Sequence, residues 1–287
     1  MPPEKNRGNV MTADLVEQKR SRIIEQFGPW SAHNIHLGGD VYTISDQVIG
    51  DEIKLRRIVQ CVSDIAQRPL AGLRILDLAC LEGLYAVEFA RHGAEVLGVE
   101  VREANIEKAR FAKDVLRLDK LTLSRDDVRN ISAEKYGRFD VVLCLGILYH
   151  LDVPDVFSFL ARMSEVCTGF AVIDTHIGTA ERSHIHNGAT YWGSVFGEHA
   201  LDATPEYKEK QLWASIDNAV SFWFTRASLL NALTRVGFTS IHECLTPAVP
   251  GTPADRVTLI AMKGAAQALL CSPLATAQPV AEVAEQN

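Results

Sequence analysis

The 287 residues contain no C-x-x-C pair, no G-x-G-x-x-G run and no long apolar stretch, and each absence removes a class of protein. The six cysteines, Cys61, Cys80, Cys144, Cys167, Cys244 and Cys271, are scattered along the chain. A small secreted domain held by disulfides spaces its cysteines closely, so these read as reduced, mostly buried thiols. Nothing approaches the roughly 18 consecutive apolar residues of a membrane span, and the N-terminus is polar and charged through Arg22, unlike a secretory signal. A cytoplasmic protein without a membrane partner is expected. Positive charge is also scarce. The 29 Lys and Arg against 36 Asp and Glu leave a net charge of −7, the wrong sign for a broad phosphate-neutralising surface, so nucleic acid is a disfavoured partner.

What is present is enough apolar material, 47% of residues, to bury a full core. Residues 1–11 lack periodicity and are expected to be disordered. Residues 12–69 read as two helices around a substrate-side loop. The first runs from Thr12 to the Gly28-Pro29 breaker. The loop, Trp30 to Thr43, is dense in aromatic, histidine and glycine residues. The second runs from about Asp46 to Gln67 on Ile49, Ile53, Ile58, Val62 and Ile65.

From residue 70 to 264 short apolar runs alternate with amphipathic helices, the pattern of a parallel sheet covered on both faces. Strands are predicted at Leu73–Leu78, Glu95–Val99, Leu121–Ser124, Phe139–Leu145 and Phe170–Asp174. The helices between them are Gly83–His92, Arg102–Leu118 and Val153–Val166. Residues 175–224 lose this regularity and read as an inserted lid. A helix at Arg226–Val236 then leads to strands near Thr239–Glu243 and Arg256–Met262, predicted as an antiparallel hairpin at the end of the sheet. Ala265–Leu270 has the composition of a short helix, and the rest of the tail, to residue 287, is expected to be mostly disordered.

The segment Ile75-Leu76-Asp77-Leu78-Ala79-Cys80-Leu81-Glu82-Gly83 is a strand that ends in an acidic residue, turns tightly and opens a helix. In an open α/β sheet, ligands sit at the carboxyl ends of the strands, beside the point where strand order reverses. A dinucleotide site at such a turn would need the missing glycines, and carboxylates such as Glu82 would repel a pyrophosphate. The second strand ends at Gly98-Val99-Glu100, so a second carboxylate stands where ribose hydroxyls can donate to it. Singly, either acid reads better as a helix cap. Together, both at strand ends, they point to a nucleoside-binding cleft.

These residues resemble the first motif of the class I S-adenosylmethionine-dependent methyltransferases. Asp77 and Gly83 match it, while Ala79 and Leu81 stand where glycines are usual, giving a less permissive backbone. The resemblance implies a Rossmann-like fold: a mostly parallel seven-stranded sheet with an antiparallel final hairpin, N-terminal helices and an inserted lid. It implies S-adenosylmethionine as cofactor, held by Asp77, Ala79, Cys80, Gly83, Glu100, Val101, Asp127, Val128, Leu145 and Gly146. Asp127, in Ser124-Arg125-Asp126-Asp127-Val128, would lie beside the adenine amino group. Leu148-Tyr149-His150, Ser221-Phe222-Trp223 and the Trp30…His33…Leu37-Gly38 loop are similar to a subgroup that includes tRNA wobble-uridine carboxymethyl-transferring enzymes.

Methyl transfer from a sulfonium needs alignment and dryness, and a general base only where the acceptor is protonated at neutral pH. His150, His176 and Asp174, each just after a strand end, are the candidate bases. Trp30, His33, Tyr42, Tyr149, Tyr191, Trp192 and Trp223 are candidate acceptor-pocket residues. His184-Ile185-His186 shares one face only if that segment is a strand, which nothing around it indicates, and no metal is expected. Three readings follow. The leading one is methylation of an oxygen or nitrogen of a small-molecule acceptor. The second is methyl or carboxymethyl transfer to a tRNA wobble uridine, which calls for a cation near the sulfonium that the first motif does not supply. The third is a binding protein without catalysis.

Overall fold

The computed structural model describes residues 11–47, 51–245 and 253–265. The mobility expected of residues 1–11 and the helix expected at Ala265–Leu270 fall almost wholly outside them. Helix α1 (Ala13–Phe27) starts at Thr12, whose hydroxyl accepts the Leu15 N–H, and stops at Gly28 with φ 79°. The loop after it contains a small hairpin, β1 (His36–Gly38) and β2 (Val41–Tyr42). Helix α2 (Asp51–Ala66) begins later than the apolar spacing predicts.

The alternating region follows as β3 (Arg74–Leu78), α3 (Leu84–Arg91), β4 (Glu95–Glu100), α4 (Glu103–Leu116), β5 (Leu121–Arg125), the short α5 (Ala133–Tyr136), β6 (Phe139–Leu145), α6 (Asp155–Val166) and β7 (Cys167–His176). Next come β8 (Arg182–His186), β9 (Ala189–Gly197), α7 (Pro205–Lys210), β10 (Val220–Phe224), α8 (Arg226–Arg235), β11 (Ser240–Glu243) and β12 (Arg256–Met262). Seven strands form the main sheet in the order β11-β12-β7-β6-β3-β4-β5. All neighbours from β7 through β5 are parallel, and β12 is antiparallel to both β7 and β11. This is the Rossmann-like methyltransferase fold with its antiparallel end hairpin.

Strand β3 shows why the apolar runs are nearly continuous. Ile75 and Leu76 point to opposite faces and both are fully buried. Ile75 joins a cluster with Val16, Ile58, Phe89 and Phe111 from the first four helices, and Leu76 joins one with Phe159, Leu160 and Leu233 from α6 and α8. Burying each such side chain contributes about 1.5–3 kcal/mol, so a strand covered on both sides cannot alternate with polar residues. Among the described residues no helix is long and apolar enough to cross a membrane.

The inserted region corrects the sequence-based expectation of irregularity. Strands β8, β9 and β10 form a separate antiparallel sheet in the order β10-β9-β8. His184 and His186 do lie on a strand and share a face, but both rings stack on Phe157, at 5.4 and 4.4 Å. Among the described residues, no group of three or more His, Cys, Asp or Glu side chains is arranged to hold a metal ion.

Candidate functional site

Beyond the carboxyl ends of β3, β4, β5 and β6 lies a cavity of about 300 Å³. Its floor is the turn after β3. Ala79 and Leu81 adopt φ of 52° and 49°, so the chain takes the left-handed conformation that glycine would occupy without strain. Gly83, at φ 91°, cannot be replaced for another reason: a Cβ there would lie 2.8 Å from Ala109 Cβ, so its absence lets α3 press on α4. Gly83 lies behind the residues that line the cavity, and its part in holding a cofactor would be to let α3 sit close to α4. Ala79→Gly is expected to relieve ~1–2 kcal/mol of left-handed strain and to return up to ~1 kcal/mol through the freer unfolded chain. A net gain of about 0.5–1 kcal/mol is expected, read by urea unfolding.

Two acids stand on the wall. Asp77 is buried, its Oδ2 has no hydrogen-bond partner, and burial, with Glu100 nearby, pushes its carboxyl up to about 8. Glu100 is also raised by burial, although it accepts the N–H groups of Leu81 at 2.9 Å and Arg102 at 2.8 Å. Two buried carboxylates facing one cavity, one with an unpaired oxygen, fit a ligand that brings cationic and hydroxyl donors. Val101, Val128, Leu145 and Gly146 complete this end, with Ala79 and Cys80. Gly146 has φ 108°, and no atom beyond its chain neighbours comes closer than 3.5 Å to where its Cβ would be, so a ligand can lie against its backbone.

Asp127 lines the cavity, but its carboxylate is taken up by Arg129: Oδ2 lies 2.6 Å from the guanidinium, and Oδ1 accepts the Arg129 N–H at 2.8 Å. Asp126, also on the wall, accepts from Lys135 and from the Tyr136 hydroxyl. Although burial alone would raise it, these bonds hold it at about 2. Glu82 departs from what the sequence suggests. Instead of facing a ligand, it is fully buried behind the turn, where it accepts the N–H groups of Ser31, Ala32 and His33 and pairs with Lys108 at 3.1 Å. Repulsion of a pyrophosphate by Glu82 therefore has no structural basis.

Of the candidate bases, only His150 is on the wall. Its Nδ1 lies 3.0 Å from Glu198 Oε1. Burial would raise the Glu198 carboxyl, but its bonds with His150 and the Ser215 N–H leave it below the ordinary range, so it is an anion at neutral pH. An anion on Nδ1 assigns the proton there and leaves the Nε2 lone pair available. The His150 backbone is fixed as well, its carbonyl accepting from Asn218 at 2.7 Å.

The other two candidates are corrected. Asp174 is buried and paired with Lys54 at 3.2 Å, Arg256 at 2.5 Å and the Thr258 hydroxyl at 2.7 Å. Burial alone would raise it, and the two cations hold it below the ordinary carboxylate range, the opposite of what a base at neutral pH needs. His176 lies between Tyr149 and Trp223, with its ring stacked on Trp223 at 4.5 Å.

The expected aromatic pocket is also partly corrected. His33 and Tyr149 face the cavity. Trp30 packs on Phe111, Tyr42 on His36, and Tyr191 on Phe157 and Phe224. Trp192 is exposed on β9, and Trp223 braces the turn before His150 by donating to the Tyr149 carbonyl at 2.9 Å.

The strap after α7 supplies a further wall, including Trp213, Ser215 and Asp217; the aromatic density that begins at Trp213 is the sequence signal for it. Arg102 holds it by donating to the carbonyls of Lys208, Glu209, Gln211, Ala214 and Ser215 at 2.9–3.3 Å. Lys54 and Arg256 also reach the wall, at the Tyr149 end. Neither of these two cations has a local spacing that points to the site. Only the fold brings them there.

Residues 75–168 match a family described as methyltransferase domain. The ubiquinone biosynthesis O-methyltransferase of Azorhizobium caulinodans is 39% identical over 114 residues, 38% of this chain and 42% of that protein. Its counterpart in Acinetobacter baylyi is 33% identical over 91 residues, 32% and 37% of the two chains. The chain spans about two fifths of the length of these curated relatives. Among solved structures, the N-terminal domain of EvdMO1 with S-adenosylhomocysteine bound has a TM-score of 0.68 at 23% identity, covering 90% of this chain and 100% of that one. The same domain with S-adenosylhomocysteine and D-fucose gives 0.67 at 24% identity, with the same coverage. At such identity the likeness is one of fold.

Proposed function

We propose that this chain is a class I S-adenosylmethionine-dependent methyltransferase that acts on a hydroxyl oxygen of a small molecule. The observation that carries the oxygen acceptor is His150 on the cavity wall, with the buried Glu198 carboxylate on its Nδ1. A hydroxyl keeps its proton at neutral pH and needs a base, and an imidazole oriented by a buried anion is one. The matched methyltransferase domain, and relatives named as O-methyltransferases, support the same reading.

S-adenosylmethionine, when bound, supplies an electrophilic methyl on a positively charged sulfur. Asp77 would receive its ammonium, Glu100 its ribose hydroxyls, and the Asp127-Val128 segment its adenine, with Leu145 and Gly146 against the methionine end. His150 Nε2 would take the acceptor proton as the oxygen attacks. Glu198 holds the ring in place and stabilises the imidazolium, and the strap carrying Trp213 and Ser215 keeps water out. The apolar-to-polar mix of the wall suits a small hydroxylated acceptor. An anticodon stem would need a basic track, and the relatives described above are named for ubiquinone biosynthesis, so the tRNA wobble-uridine alternative gains no support.

Isothermal titration with S-adenosylhomocysteine tests the cofactor assignment. Asp77→Ala and Glu100→Ala are expected to abolish the heat of binding, and an intact protein that takes up no ligand refutes the assignment. The Asp77 carboxyl, held at about 8, adds a pH signature. A folded-state pKa above the unfolded one stabilises the ligand-free protein below pH ~3.8, and this contribution is lost as pH rises toward 8. The ammonium requires the ionised form, so binding releases a proton below pH 8. Affinity is expected to rise by up to about tenfold per unit between pH 6 and 8, and Asp77→Asn to flatten that slope.

A second reading concerns the donor. Lys54 and Arg256 are two cations around the single Asp174 carboxylate, beside Tyr149 and Gly146. They supply the positive charge near the sulfonium that a carboxylated donor calls for. Titration with S-adenosylmethionine and with its carboxylated derivative separates the two donors. Lys54→Met would weaken only the carboxylated one, and equal affinities in the parent protein would remove this reading.

A further inference from the structure

Cys61 and Cys244 are 183 positions apart in sequence, yet their sulfurs lie 3.4 Å from one another. Cys61 projects from α2, and Cys244 directly follows β11, its N–H bonded to the Thr258 carbonyl at 2.8 Å, which continues the pairing with β12. Both are partly buried, whereas Cys80, Cys144 and Cys167 are buried. Lys54 precedes Cys61 by two helical turns on the same face of α2. Thr258 and Arg256, two residues apart, share a face of β12. The two thiols therefore meet where α2 and the terminal hairpin converge behind Asp174, the carboxylate that Lys54, Arg256 and Thr258 all engage.

We infer that Cys61 and Cys244 form a modification site, a thiol pair that a low-molecular-weight disulfide closes into a bridge tying α2 to the β11–β12 hairpin. One protein thiolate attacks the reagent, displacing one thiol and leaving a mixed disulfide. The second attacks the sulfur of the first, displacing the other reagent thiol. The two protein thiols are oxidised, the reagent disulfide is reduced to two thiols, and the two protons pass to water or the leaving thiolates. Burial and the neighbouring Cys61 push Cys244 up to about 11, and the 3.4 Å separation lets either sulfur resolve a mixed disulfide formed on the other. Closure needs the sulfurs to approach from 3.4 Å to roughly 2 Å.

The test uses the full chain carrying Cys271→Ser, reduced with dithiothreitol, desalted and exposed to oxidised glutathione. The expected product is a monomer lighter by two hydrogens, with the Cys61 and Cys244 peptides joined in a non-reducing digest. Its Tm is expected to rise by about 5 °C, since the bridge closes a long loop, and to fall back on reduction. Cys61→Ser and Cys244→Ser should each lose both the mass change and the Tm rise. A stable glutathione adduct, an intermolecular dimer, unreacted thiols, or a bridge without a Tm change would overturn the inference. Mass and Tm do not depend on methyl transfer, so the outcome is independent of the proposed activity.

Discussion

A Lys108→Met protein is expected to lose about 3–5 kcal/mol of stability, the usual consequence of leaving one member of a buried ion pair alone. The Glu82 and Lys108 side chains are 0% and 1% exposed. Lys108 also donates to the Pro29 carbonyl at 2.6 Å, and Glu82 collects three successive backbone N–H groups of the N-terminal loop. Met matches the stem of Lys in length, so the loss isolates the charge. Urea unfolding gives the magnitude, and the fluorescence of Trp30, which packs beside Lys108, reports whether the loop loosens first. Adding Glu82→Gln should recover part of the loss, because the two residues are directly coupled. A Lys108→Met loss below about 1 kcal/mol would show that the pair behaves as if solvated.

His150→Ala is expected to reduce kcat by about 10²–10⁴-fold while leaving S-adenosylhomocysteine affinity near that of the parent. Glu198→Gln keeps the shape of the dyad but removes its charge. It is expected to lower kcat more than it changes KM, because the ring loses the anion that orients it. Equal loss of binding and turnover in His150→Ala would instead make the ring a packing element.

The parallel sheet was legible because strands buried on both faces must be apolar throughout, and Arg74–Leu78 and Phe139–Leu145 are nearly so. Asp77 and Glu100 were legible as cavity residues because the fold places strand-end residues at its mouth. The three-stranded sheet was missed although a signal was present. Asn187-Gly188 sits between β8 and β9 with φ of 48° and 74°, the two-residue turn that most strongly marks a hairpin. Glu198 had no comparable signal, since 48 residues separate it from His150 and only the path of β9 joins them. Tyr191 and Trp30 misled because aromatics near a site are as often its packing as its lining. Lys54 and Arg256 lie 120 and 82 positions from Asp174, and no spacing rule connects them.

Arg102 has a place in two structures at once. Its backbone N–H binds Glu100, the predicted ribose acceptor, and its side chain gathers five carbonyls of the strap that covers the cavity. The strap in turn reaches Glu198 through the Ser215 N–H. If donor and acceptor bind on either side of Arg102 as proposed, any coupling through it would have equal strength in both directions. Whatever factor the cofactor product adds to acceptor affinity, the acceptor must add to the affinity of the product. Where that factor exceeds one, a tightly fitting acceptor analogue would hold the cofactor product more tightly.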